Sequence, residues 1–150
     1  LLSPYLLKED KNMWFLMGNE KGYRSVSCIG LDKMERLTYA GREKFIETRI
    51  DFEKESFEYV TGTTVPKIGN VVRVVLKFSK ERFDYVASKP LHGSQKSDRR
   101  KRIVIIEVIP NRELESLILH YGSDVEVLEP KDLRESVISK IKSMFRIYDK

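Results

Sequence analysis

The chain has 150 residues, 41% hydrophobic and 34% charged, with a formal net charge of +5. This composition fits one ordinary domain or two small ones and excludes a disordered chain, and no apolar run approaches the roughly 18 residues that span a bilayer. Cys28 is the only cysteine, which excludes an intrachain disulfide and a thiolate zinc site within one chain and permits a reducing cytoplasm.

The apolar start, Leu1-Leu2, is cut short by Pro4 and then by Lys8, Glu9 and Asp10, so it does not read as a signal peptide. Leu1 is not an initiator Met, and the chain is expected to be an excised part of something longer. Residues 5–8 and 13–18 read as short strands around the polar turn Glu9-Asp10-Lys11-Asn12. A second turn, Asn19-Glu20-Lys21-Gly22, leads into a strand over residues 23–31. Several short strands in a small module are expected to curl into a barrel, which buries surface and protects edges. Within the third strand Cys28 is expected to be a small buried hydrophobe. Ile46, Thr48, Ile50 and Phe52 alternate with Glu47, Arg49 and Asp51, a further strand signal. Residues 55–60 fit one or two helical turns. Residues 61–70 hold the turn formers Gly62, Pro66, Gly69 and Asn70, and the charge balance changes there. Up to Pro66 the chain has ten Lys and Arg against eleven Asp and Glu; from Lys67 onward it has eighteen against twelve. The domain boundary is therefore placed after Pro66, giving domains 1–66 and 67–150.

The second domain reads more clearly. Val72, Val74, Leu76 and Phe78 form one face of a strand. Ser79 can cap a helix that buries Phe83 and Val86. A strand is predicted over residues 91–95, a polar turn over 96–100, and a central strand over the apolar run 103–109. Asn111 can cap a helix whose inner face is Leu114, Leu117, Ile118 and Tyr121, with Gly122 as its stop. A short strand over 125–128 precedes Pro130, which opens a last helix with the inner stripe Leu133, Val137, Ile141, Met144, Phe145 and Tyr148. The fold class is α+β, and this order describes a ferredoxin-like βαββαβ domain with a C-terminal helix.

Groups for catalysis are scarce. There are two histidines, His92 and His120, no phosphate-binding glycine loop after a strand, and no metal-ligand spacing. Ser94, His92 and Glu107 could be assembled into a triad on paper, but nothing local supports one. Neither enzymatic activity nor a metal or cofactor is expected. Trp14 and Phe15 should face opposite ways in a strand, one toward the core and one toward a surface that could stack on a base. Lys89, Lys96, Arg99, Arg100, Lys101 and Arg102 are opposed by Asp98 alone, which makes a basic patch able to recruit phosphates or a merely solvated hairpin tip.

Two phrases carry a family resemblance. The first is Tyr5-Leu6-Leu7 followed by Trp14-Phe15-Leu16-Met17-Gly18; the second is Pro90-Leu91-His92-Gly93-Ser94-Gln95 followed by Tyr121-Gly122 and Glu126-Val127-Leu128-Glu129-Pro130. In this order they resemble the WYL domain and its C-terminal extension, found in bacterial transcriptional regulators, with Phe15 in the middle of the name-giving Trp-Tyr-Leu. The resemblance implies a small SH3- or Sm-like β-barrel followed by the extension. It also implies a ligand groove lined by basic groups. Leu31-Asp32-Lys33-Met34 is similar to a family segment in which Arg occupies the Lys33 place, and Lys lacks the bidentate fork of Arg. The upstream groove Arg corresponds by strict spacing to Ser27, with Arg24 lying earlier. Tyr5, Arg24, Ser27, Lys33, Arg36, His92 and Gln95 are thus the expected ligand-binding residues, with Lys96, Arg99, Arg100 and Arg102 as a competing phosphate patch; on residues alone His92 reads equally as a hydrogen-bonded structural residue, and Arg24, Lys33 and Arg36 as ordinary surface bases.

The resulting expectation is the ligand-sensing and dimerisation region of a cytoplasmic bacterial transcriptional regulator. It would be a homodimer binding a nucleotide or oligonucleotide effector, and it would reach DNA through an N-terminal helix-turn-helix domain absent from these residues. The alternative is a direct single-stranded nucleic-acid-binding module.

Overall fold

A computed structural model describes residues 1–23, 26–49, 51–52, 57–64 and 69–149. Among them are two antiparallel sheets and three α-helices, and the chain divides into two compact units, Leu1–Phe57 and Glu58–Lys150. No helix among the described residues is long and apolar enough to cross a membrane.

The first unit is a three-stranded meander of β1 (Leu2–Asp10), β2 (Met13–Glu20) and β3 (Val26–Gly30), in that order. Lys11 and Asn12 both have positive φ, 50° and 62°, as a two-residue hairpin turn with the twist of its strands requires. Pro4 lacks an N–H, and the register slips directly after it: Pro4 pairs with Gly18 and Leu6 with Met17, leaving Tyr5 as a bulge. Gly18 has no room for a side chain, since a Cβ there would lie 2.7 Å from the Ser3 carbonyl oxygen. Trp14 is 49% exposed and Phe15 is half-buried. Cys28 is exposed rather than buried; it lies on β3, an edge of the sheet among the described residues. The strand expected from Ile46 onward does not form at the described residues 46–49 and 51–52. Instead Ile46 N–H donates to Ser3 Oγ (3.0 Å) and the Ile46 carbonyl accepts from Tyr5 OH (2.8 Å), so side chains take the place of a backbone ladder. Ile50, the first two residues of the possible helical turn at 55–60, and residues 65–68 of the turn-rich stretch lie outside the described residues.

In the second unit the order is β4 (Val72–Phe78), α1 (Lys80–Ser88), β5 (Lys96–Asp98), β6 (Ile103–Val108), α2 (Arg112–His120), β7 (Val125–Glu129) and α3 (Lys131–Tyr148). The sheet order is β5-β6-β4-β7, with every neighbouring pair antiparallel. Both helix caps read from the sequence are present: Ser79 Oγ accepts from Arg82 N–H (3.2 Å) and Asn111 Oδ1 from Leu114 N–H (2.8 Å). The period of two along β4 and β6 puts Val74, Leu76 and Phe78 on one sheet face with Val104, Ile106 and Val108. That face packs against Phe83, Val86, Leu114, Ile118, Leu133 and Val137. Burying each such side chain contributes about 1.5–3 kcal/mol.

Two expectations for this unit need correction. Residues 91–95 form a turn, not a strand, and the strand is the following Lys96–Asp98. The polar side chains of residues 92, 94 and 95 bond within the turn and to nearby backbone, which leaves ladder pairing to the next three residues. The inner stripe of α3 is buried only at Leu133 and Val137; Ile141, Met144, Phe145 and Tyr148 are 48–85% exposed. An 18-residue helix is about 27 Å long. The five-residue β7 beneath it spans about 17 Å, so the C-terminal half of α3 overruns the sheet.

Candidate functional site

The basic residues expected to form a groove leave β3 in sequence. Ser27 lies on β3 opposite Gly18, half-buried. Gly30 ends the strand, and the next three residues make a single 3-10 turn, Leu31–Lys33, closed by Met34 N–H bonding to the Leu31 carbonyl (3.1 Å). Lys33 closes that turn, exposed, and Arg36 follows three residues later with φ 51°, a left-handed conformation rare for a branched or long side chain. Neither has an ion-pair partner among the described residues. Arg24 lies outside the described residues.

The bulge places Tyr5 differently from a regular strand residue. Its ring meets Phe45 edge-on and Phe52 at a tilt, with both centroids 6.0 Å away, and its hydroxyl is engaged by Ile46. Beside this aromatic group a cleft of about 610 Å³ is lined by Ser3, Lys21, Lys44, Phe45 and Ile46, among others. Lys21 in its wall is paired with Glu43 at 2.9 Å. Sequence reasoning did not single out Lys21 and Lys44 as lining a cleft; Lys21 was read only as part of a polar turn.

His92 and Gln95 have their polar atoms engaged inside the second unit. Gln95 Oε1 accepts from Leu91 N–H (2.9 Å), and its Nε2 donates to the Val86 carbonyl (3.0 Å) and to Ser97 Oγ (3.3 Å). It therefore stitches the turn to the end of α1. His92 Nδ1 accepts from Ser94 N–H (3.2 Å) and lies 2.8 Å from Ser94 Oγ, while Ser94 Oγ accepts from Glu107 N–H (2.9 Å). An accepting Nδ1 fits the neutral tautomer protonated at Nε2. Burial lowers the His92 pKa below its ordinary value, against a hydrogen bond to the Glu58 backbone that raises it. A triad fails on geometry: the backbone of Glu107, not its carboxylate, meets Ser94. No three His, Cys, Asp or Glu residues among those described are grouped to hold a metal.

The hairpin between β5 and β6 presents the second cationic cluster. Asp98 Oδ1 caps the turn by accepting from Arg100 N–H (3.0 Å) and Lys101 N–H (3.1 Å). Arg99 is paired with Asp84 at 3.1 Å in solvent. Lys96, Arg100 and Arg102 are exposed and have no ion pair among the described residues. Lys33 and Arg36 thus lie on one unit, and Lys96, Arg99, Arg100 and Arg102 on the β5-β6 hairpin of the other.

One arrangement had no forecast from the sequence. Residues 58–64 run across the start of α2 as a strap. The Tyr59 carbonyl accepts from Ile109 N–H (2.7 Å), and Asn111 Nδ2 donates to the carbonyls of Thr61 (2.9 Å) and Thr64 (3.0 Å). The Glu113 carboxylate accepts from the N–H groups of Thr63 (3.1 Å) and Thr64 (2.9 Å) and from the Thr63 hydroxyl (3.3 Å). Within the strap, Val60 and Thr63 are buried.

The comparisons with known proteins bear on the second unit most directly. Residues 70–145 match the family model of the WCX domain, the C-terminal extension associated with WYL domains. No curated protein matches the chain. Among solved structures, that of Proteasome accessory factor B/C (PafBC) of Arthrobacter aurescens is similar at 18% identity and a TM-score of 0.40, covering 99% of this chain and 22% of that one. At that identity and TM-score the likeness carries no functional inference, and this chain spans about a fifth of the length of that protein. The family match covers half of the residues, and on it the chain belongs to the WCX domain family.

Proposed function

We propose that this chain is the effector-sensing and dimerisation region of a bacterial transcriptional regulator, with no catalytic role of its own. The observation that carries the reading is the WCX match over residues 70–145, following a strand pair with the phrase Trp14-Phe15-Leu16-Met17-Gly18. In this reading the first unit is a WYL-type, SH3- or Sm-like barrel. Support comes from the segment around Ile46, which runs along β1 through Ser3 and Tyr5, where a closing strand would lie. The second unit is ferredoxin-like, which the order β5-β6-β4-β7 with all pairs antiparallel supports.

The effector is a nucleotide or oligonucleotide. Lys33 and Arg36 supply its phosphate contacts, and Ser27, Tyr5 and Arg24 complete the proposed set of ligand-binding residues. The exposure of Lys33 and Arg36, with no ion-pair partner among the described residues, supports this role. His92 and Gln95, whose hydrogen bonds are spent internally, serve the turn they sit in. Dimerisation runs through the uncovered stripe of α3, and it would set the spacing of DNA-binding domains supplied by the rest of the protein. The hairpin cations Lys96, Arg100 and Arg102 favour the second reading, direct binding of single-stranded nucleic acid.

Fluorescence anisotropy with a labelled single-stranded oligonucleotide tests both. Replacing Lys33 and Arg36 by Ala should weaken binding and lower the salt slope by about 0.7 for each phosphate no longer neutralised. If only the Lys96, Arg100 and Arg102 set matters, the second reading replaces the first. If neither set matters, the effector is not a nucleic acid.

A further inference from the structure

The strap over residues 58–64 joins the first unit to the second in the chain, yet it is bonded as part of the second. We infer that it is a latch, closed in this structure, with Glu113 and Asn111 as its positioning residues. A plain connector would leave its backbone groups to water. Here three N–H or O–H donors converge on one carboxylate, and two carbonyls share one amide.

The geometry is specific to its residues. Gly62 has φ +83°, a conformation that glycine adopts freely and other residues rarely, and a Cβ there would lie 2.6 Å from the Glu113 carboxylate. The turn at Gly62 points the next two N–H groups the same way and makes a small anion-binding nest. Glu113 fills that nest from the first turn of α2, where a negative charge is also favoured by the helix dipole. Asn111 serves two partners at once: Oδ1 caps the helix and Nδ2 holds the strap. Latch and helix start are therefore one structure, and a pull on residue 58 acts on the N-terminus of α2.

Opening the latch would free seven residues, a tether of up to about 24 Å when extended. Closed, it leaves no such slack. The latch thus sets whether those residues add to the free chain that connects the two units. Its regulatory meaning rests on the effector-sensing reading above; its existence does not.

The test uses the whole chain without oligonucleotide, so its outcome is separate from that of the effector reading. Amide hydrogen exchange should find Thr63 and Thr64 protected on the order of 100-fold over an unstructured peptide. Glu113→Ala and, separately, Gly62→Ala should remove most of that protection while leaving the β4 and β6 amides unchanged. Chymotrypsin cleavage after Tyr59 should rise about tenfold in the same variants, because cleavage tracks the open population. Glu113→Gln, which keeps one accepting oxygen, should fall between. Peptide-rate exchange at Thr63 and Thr64 in the unaltered protein would overturn the latch, and so would protection that survives Glu113→Ala. If β4 and β6 lose protection too, Glu113→Gln carries the decision: unchanged strap protection there overturns the latch, and selective loss at Thr63 and Thr64 sustains it.

Discussion

Asn111 offers the most quantitative check on how the second unit is held. Its Oδ1 accepts from Leu114 N–H at 2.8 Å, and its Nδ2 donates to two strap carbonyls at 2.9 and 3.0 Å. Asn111→Ala removes all three bonds. Loss of an N-cap costs about 1 kcal/mol. Removing each strap bond costs on the order of 1 kcal/mol where it is shielded and less where water replaces the donor, as it can at the Thr64 carbonyl. The expected destabilisation is about 2–3 kcal/mol. Asn111→Ser keeps a capping oxygen and loses the strap donor, so it should cost about 1–2 kcal/mol, with the difference from Ala isolating the cap. The three α-helices described all lie in the second unit, so urea unfolding followed by far-ultraviolet circular dichroism reports that unit. The order should be Asn, then Ser, then Ala. A Ser variant as stable as the original, with Ala alone destabilised, would mean that Asn111 is only a cap and the strap bonds contribute nothing.

Further outcomes follow from other parts of the molecule. Burial holds the folded His92 pKa below its unfolded value of about 6.5, so its contribution is complete above that pH and is lost as pH falls toward the folded pKa. Urea midpoints of the second unit should decline on that acid side, and His92→Gln should flatten the decline; an identical pH profile would contradict the assignment. Gly18→Ala should destabilise the first unit by about 1–3 kcal/mol through the clash with the Ser3 backbone. Trp14, the only tryptophan, reports that unit by fluorescence, and an unshifted midpoint would show that the strands part at little cost. On the proposed dimerisation through α3, the unaltered chain should sediment as a dimer and Phe145→Glu as a monomer with helicity intact; an unaltered sedimentation coefficient would remove α3 from the interface.

The legibility of this fold in its sequence depended on where each residue sends its hydrogen bonds. β4 and β6 were readable because alternation of Val, Leu, Phe and Ile with polar groups has one good solution, burial of one sheet face. The caps at Ser79 and Asn111 were readable because capping is local, three residues long and chemically specific. The run from Leu91 to Gln95, expected as a strand, is a turn in which Gln95 reaches back to Leu91 N–H and across to Val86. Such side-chain bonds compete with a ladder and leave no trace in hydrophobic periodicity. Ile46 misled in the same way: its alternation was real, but Ser3 and Tyr5, more than 40 residues earlier, supply its partners.

The candidate site divides along the same line. Lys33 and Arg36 were picked out by the likeness of Leu31-Asp32-Lys33-Met34 to a family segment, although Asp32 and Glu35 adjoin them in the sequence, and in the fold they remain exposed. His92 and Gln95 also came from a family phrase, and polar residues in such a phrase carry no label saying whether their donors and acceptors are already used. Only the count of partners decides that. Gln95 has both amide ends engaged, and His92 has Nδ1 accepting from Ser94 and a further bond to the Glu58 backbone. A ligand would have to replace bonds that already hold the turn, which costs more than recruiting a side chain in water. The same accounting brings Asn111 and Glu113 forward, because a helix start that also collects the backbone of a distant strap is spending more polar groups than a helix start needs.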